Sequence, residues 1–248
     1  MKSILAATAA TASMKILKIT TAALLLSMSI ASYADSTGDF EALLAEHWEW
    51  TLRAYPTMAS SIGDLRFNDQ WSDQSLDGIE RRHNETREFL RRVYAIERVA
   101  LSEENQLNYE LFRRQLQDDV DVHQFRGYLL PFFHRGGVQN LENTTNQLRL
   151  SSTKDFDDWL ARMSKVGEVI EQHIDLAEAG RKADTVAPQV LMQRITTQLA
   201  LQLVEEPEDS PFYGIFESLP ASIPAEEQQR LRAAALEIIE KTLLPAYK

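Results

Sequence analysis

The chain has 248 residues, with 26 Lys+Arg against 37 Asp+Glu, a formal charge of −11, 44% hydrophobic residues and no Cys. So acidic a balance argues against nucleic acid as a partner, because that binding is driven by cations that neutralise phosphates. Without Cys there is no disulfide framework, thiol nucleophile or thiolate metal site, and stability has to come from a buried core.

Residues 1–34 read as an export signal rather than as fold. Met14 is a candidate start. It is followed by Lys15 and Lys18, an apolar run from Ile19 to Ile30, and Ser32-Tyr33-Ala34, which places small residues three and one before a cut after Ala34. The apolar run falls short of the about 20 residues that span a bilayer. Removing it takes away Lys2, Lys15 and Lys18 and no acid, so the formal charge falls from −11 to −14. The product is expected to be periplasmic or extracellular, with no stable membrane span after signal cleavage.

Residues 35–248 read as one helical domain. Phe40, Leu43, Leu44, His47, Trp48 and Leu52 make a helical stripe that Pro56 halts. The spacing predicts a second helix from Leu76 to about Arg98, with Phe89, Val93 and Ile96 inward. Ser102 is placed to cap a third helix, with Glu103 and Glu104 in its first turn and Leu107, Leu111, Leu116, Val120 and His123 along its stripe. Between Phe125 and Thr153 the periodicity fails, and long irregular connections of this kind are often functional. A capping box at Ser152–Asp155 opens a fourth helix, whose apolar face runs from Phe156 to Ala177 and is expected to stop at Gly180. Pro188 starts a fifth through Leu191, Ile195, Leu199 and Leu203. Pro207, Pro211, Pro220 and Pro224 punctuate the next stretch, and a last helix runs from Ala225 to about Leu244. The fold class is all-α, an irregular helical array.

Catalytic motifs are missing from this pattern. There is no Gly-x-Ser-x-Gly elbow and no phosphate-binding Gly loop, and the five histidines never stand four apart, as a zinc-peptidase helix requires. His47 and His173 fall on apolar faces and read as core or edge histidines rather than metal ligands. His123 has Asp118, Asp119 and Asp121 nearby; a solvated charged face explains the group more simply than a metal site, which needs three or four convergent ligands. Glu103-Glu104, Glu205-Glu206 and Glu226-Glu227 read as helix-start and solubility acids. His134-Arg135-Gly136-Gly137 has the best claim to binding, either as a ligand loop or as a flexible turn. The Gly pair lets backbone approach a ligand, Arg135 has the fork to hold a carboxylate, and His134 has a donor to offer.

Several phrases together resemble the N-terminal half of the bacterial "domain of unknown function 885" family. They are Trp48-Glu49-Trp50, Pro56-Thr57-Met58-Ala59-Ser60-Ser61-Ile62-Gly63-Asp64, Leu101 to Tyr109, Gly136-Gly137-Val138-Gln139, Ser210-Pro211-Phe212-Tyr213 and Leu219-Pro220-Ala221-Ser222-Ile223-Pro224. The resemblance implies a fold like a helical zinc peptidase and a secreted hydrolase whose zinc-binding segment lies in a C-terminal half. On this reading the chain is an N-terminal helical portion that is inactive alone. It holds no cofactor itself, zinc being expected only with a C-terminal half, and its partners are a peptide substrate or that half. The alternative is a non-catalytic exported helical binding module.

Overall fold

The computed structural model describes residues 36–133 and 135–248. The export signal of residues 1–34 and the imidazole of His134 lie outside the described residues. The chain divides into two compact units, one built from Thr86–Asp118 with the segment ending at His47, the other from Trp48–Glu85 and Asp119–Lys248. Helices α1 (residues 36–54), α3 (Leu76–Ala95) and α4 (Glu103–Val122) each supply residues to both.

In the first unit the core is aromatic. Phe40 meets Tyr109 and Phe112 at ring-centroid distances of 6.0 and 6.5 Å, and His47 stands edge-on to Phe89 and Phe112 at 5.0 and 4.9 Å. Such tilted and edge-on pairs suit the ring quadrupoles. Ser102 caps α4 as expected, its hydroxyl accepting from the Asn105 amide at 3.2 Å. The buried face of α4 differs from the expected stripe. Asn105, Tyr109, Phe112 and Leu116 are buried, whereas Leu107 and Leu111 are 61% and 60% exposed. Asn105 can occupy an inward position because its Nδ2 donates to Glu41 Oε1 at 3.1 Å.

The second unit contains α2 (Pro56–Ser61), α5 (Thr153–Met163), α6 (Val166–Lys182), α7 (Gln189–Leu199), α8 (Gly214–Glu217), α9 (Ala225–Ile238) and α10 (Leu244–Tyr247). Its core gathers Phe156, Trp159, Leu160 and Met163 of α5, Val166, Val169 and Ile170 of α6, Phe212 and Phe216, and Leu231, Ala235, Ile239 and Leu243 from the C-terminal helices. The capping box at Ser152 and Asp155 is present. Carboxylate Oδ2 of Asp155 accepts from the backbone amides of Ser151 and Ser152 at 3.0 and 2.8 Å. The expected single fourth helix is two. It breaks at Ser164-Lys165, where Lys165 turns aside to donate its Nζ to the Asp69 carbonyl at 2.8 Å.

Gly180 does not end α6, which continues to Lys182. It is glycine for another reason: a Cβ there would lie 2.5 Å from the Leu129 carbonyl oxygen and 2.7 Å from that of Thr185. Between α9 and α10 the chain widens into a π turn, Ile239–Leu243, ahead of Pro245. A proline ring clashes with the carbonyl four residues back, and the wider turn relieves it. Tyr247 ties this end down, donating its hydroxyl to the Val138 carbonyl at 2.6 Å and packing 6.4 Å from the Phe212 ring.

The segment from Phe125 to Thr153 is irregular, as expected, but not shapeless. It contains 3-10 turns at Gly127–Leu129 and Val138–Gln147, and a single bridge pairs Phe133 with Gly136. Among the described residues no helix is long and apolar enough to cross a membrane.

Candidate functional site

An open groove of about 670 Å³ lies in the second unit. One wall is the segment from α2 to Trp71 and Gln74, the other is the loop Arg135–Gln147, and α6 contributes Val169 and His173. Three features build it: a clamp under the first wall, a brace under the second, and a histidine held in one tautomer.

The clamp is Arg162 of α5, which is fully buried. Its Nη2 donates to Ser60 Oγ at 3.0 Å and to the Phe67 carbonyl at 2.7 Å, while its own carbonyl accepts from Trp71 Nε1 at 2.8 Å. The guanidinium carbon lies 5.3 Å from the centre of the Trp71 ring, within cation–π range. One side chain thus fixes three points of the segment that forms the first wall. Among the described residues no carboxylate bonds to this cation; burial dominates, pulling its pKa down to about 10, while Asp69 and Asp158 act on it through their fields. Trp71 in turn stands 6.4 Å from Trp159 of the core.

The brace is Gln139, only 3% exposed. Its Nε2 donates to the carbonyls of Phe133 and Gly136 at 2.7 and 3.1 Å and to Gln198 Oε1 at 3.2 Å, which ties the Arg135 turn to α7. Gly137 adopts φ +121°, a conformation essentially restricted to glycine, and a Cβ on it would lie 3.0 Å from Gln139 Oε1.

His173 lies on α6 with Nδ1 2.7 Å from the Val169 carbonyl, so Nδ1 carries the proton and Nε2 is the acceptor in the neutral ring. Burial lowers its pKa below the ordinary 6.5, outweighing the opposite pull of that carbonyl, and the ring is neutral at pH 7.

Of the residues singled out in the sequence, Arg135, Gly136 and Gly137 line this groove, and His134 lies outside the described residues. Arg135 is exposed and makes no hydrogen bond or ion pair among the described residues. His173, read from the sequence as a core or edge histidine, is half-buried and lines the groove as well. Trp71, Gln139 and Arg162 were not legible as site residues, since each has a partner about 60 to 100 positions away. His123 meets Glu80 Oε2 at 3.2 Å and stacks on His83 at 3.7 Å. Among the described residues no group of three or more His, Asp or Glu side chains converges as metal ligands would.

The groove offers hydrogen bonds without acid. Gln74, Asn140, Asn143 and Gln147 bring carboxamides, each with a donor and an acceptor, and no carboxylate occurs among its described lining residues.

Residues 56–248 match the model of a family described as "Bacterial protein of unknown function (DUF885)". The chain belongs to this family. Among solved structures, a match is described as "the putative lipoprotein from Colwellia psychrerythraea", at 17% identity and a TM-score of 0.63. The alignment covers 87% of this chain and 40% of that one, so the chain spans well under half the length of that structural relative. The likeness shows a shared helical fold. No curated protein matches the chain.

Proposed function

We propose that this DUF885 chain is the helical, exported, substrate-binding portion of a peptidase-like hydrolase, and that its groove receives an extended peptide. The observation that carries the reading is the lining: carboxamides and hydroxyls beside Trp71, with no carboxylate among the described lining residues. A peptide backbone presents an N–H and a C=O at every residue, and Asn and Gln answer both. At Gly136 and Gly137 the second wall carries no side chain, so a peptide main chain can come close there. His173 Nε2 adds an acceptor, and Arg135 a cation with no partner among the described residues.

Binding, orientation and exclusion of water from the peptide are what these residues can do. The bond-breaking chemistry and its zinc belong, in this reading, to a C-terminal half, as the family resemblance implies and as the length of the structural relative accommodates. The test is isothermal titration of the purified chain with an N-acetylated, C-amidated alanine hexapeptide carrying one central glutamine. Saturable binding without hydrolysis is expected. Absence of binding, or chelator-sensitive cleavage by this chain alone, would overturn the reading.

A further inference from the structure

Beside the groove lies a second cavity, of about 340 Å³, whose chemistry is opposite to that of the protein as a whole. Its walls include Trp50 and Trp71, and its charged groups are Arg53, Arg81 and Arg82 against Asp73 and Glu85. A chain of formal charge −11 therefore has a net cationic pocket at this point.

The two acids are already engaged. Asp73 Oδ1 accepts from the amide and hydroxyl of Ser75 at 3.0 and 2.7 Å, and its Oδ2 accepts from Arg81 at 2.8 Å. Glu85 Oε2 accepts from the Trp50 indole at 2.7 Å. Arg82 donates to the Asp73 carbonyl and lies 5.8 Å from the centre of the Tyr55 ring. Arg53 is exposed and makes no hydrogen bond or ion pair among the described residues. Arg81 spends one of its five N–H donors on Asp73. Arg53 and Arg81 thus keep donors beyond those that the described acceptors take, and the aromatic walls lower the dielectric around them. Trp71 lines both this cavity and the groove, so a ligand lying in one and passing over its indole reaches the other.

We propose that the pocket is an acid-selective subsite: it binds the carboxylate of an acidic residue in the peptide that occupies the groove, with Arg53 and Arg81 as its partners. The inference rests on the peptide reading of the groove and adds the substrate class, peptides with an acidic residue. An arginine fork binding a carboxylate in place of a neutral carboxamide changes affinity by about tenfold or more.

The test compares two blocked alanine hexapeptides that differ only at one central position, glutamate or glutamine, by isothermal titration. The intact chain is expected to bind the glutamate peptide about tenfold more tightly. Arg53→Ala and Arg81→Ala should each cut that preference while leaving affinity for the glutamine peptide unchanged, and inorganic phosphate should compete with the glutamate peptide alone. Both arginines are exposed, so the variants are expected to fold, and their circular dichroism checks this. Equal affinity for the two peptides overturns the subsite and leaves the groove standing. Failure of both to bind overturns the groove and the subsite with it.

Discussion

Trp71 and Arg162 hold one another from two sides: the indole Nε1 donates to the Arg162 carbonyl at 2.8 Å, and the guanidinium of the same arginine sits 5.3 Å from the centre of the indole ring. A tryptophan that lines two cavities is thereby fixed from beneath by a side chain no solvent reaches. Arg162→Ala is expected to cost about 3–5 kcal/mol, since it leaves Ser60 and the Phe67 carbonyl without their donor and opens a cavity. Arg162→Met, which fills the volume with no charge to bury, should cost less. Urea denaturation orders the two; equal losses would mean that the packing volume is unimportant.

Gly137→Ala places a Cβ 3.0 Å from Gln139 Oε1 in a backbone conformation of φ +121°. A loss of about 1–3 kcal/mol is expected from that strain. Gly180→Ala meets backbone, not a movable side chain, on two sides, so a comparable or larger loss is expected. A thermal melt indistinguishable from the parent's in either variant would contradict the stated geometry.

Tyr247→Phe removes the hydroxyl that joins the C-terminal helix to the Val138 carbonyl. That hydrogen bond is lost, and about 0.5–1.5 kcal/mol with it, with no change in the packing against Phe212. Burial raises the Tyr247 pKa well above its ordinary value and raises that of Tyr109 as well, so alkaline difference spectra should show one fewer late-titrating tyrosine in the variant than in the parent.

Stability should fall on mild acidification. Burial lowers the pKa of both His47 and His173 below 6.5, so as pH drops through about 6.5 the unfolded chain takes up protons before the folded one does. Their contribution is complete above that pH and is lost as pH falls towards the folded values. Asp73 and Asp155 also have lowered pKa values, burial notwithstanding, because hydrogen bonds favour their charged forms; their loss comes in a separate, more acidic window. Urea midpoints of the parent and of His173→Gln between pH 7 and pH 5 check this, the variant being expected to show the shallower decline.

The sequence disclosed the helices better than their faces. The capping box at Ser152 and the helix starts after Ser102 and Pro188 are local signals, and they stand as expected. The α4 face was misread because a polar residue, Asn105, takes a core position by pairing with Glu41, while Leu107 and Leu111 carry the more obvious apolar rhythm outward. The break between α5 and α6 has neither Gly nor Pro at it, and both Met163 and Val166 are buried, so the apolar stripe runs through it unbroken. What stands at the break is a tertiary contact, Lys165 reaching the Asp69 carbonyl, which the local sequence does not announce. The Gly136-Gly137 pair was singled out in the sequence, and it lines the groove. The groove itself was not legible, because Gln139, Trp71 and Arg162 assemble it through contacts distant in sequence.

The central claim is that the groove binds peptide. Titrating the blocked glutamine hexapeptide into the parent chain and into Asn143→Ala, an exposed groove residue whose loss should leave the fold intact, tests it most directly. The predicted result is saturable one-to-one binding by the parent, weakened several-fold in the variant, about what one lost neutral hydrogen bond gives. No saturable heat with the parent, or the same affinity in both, would contradict the account.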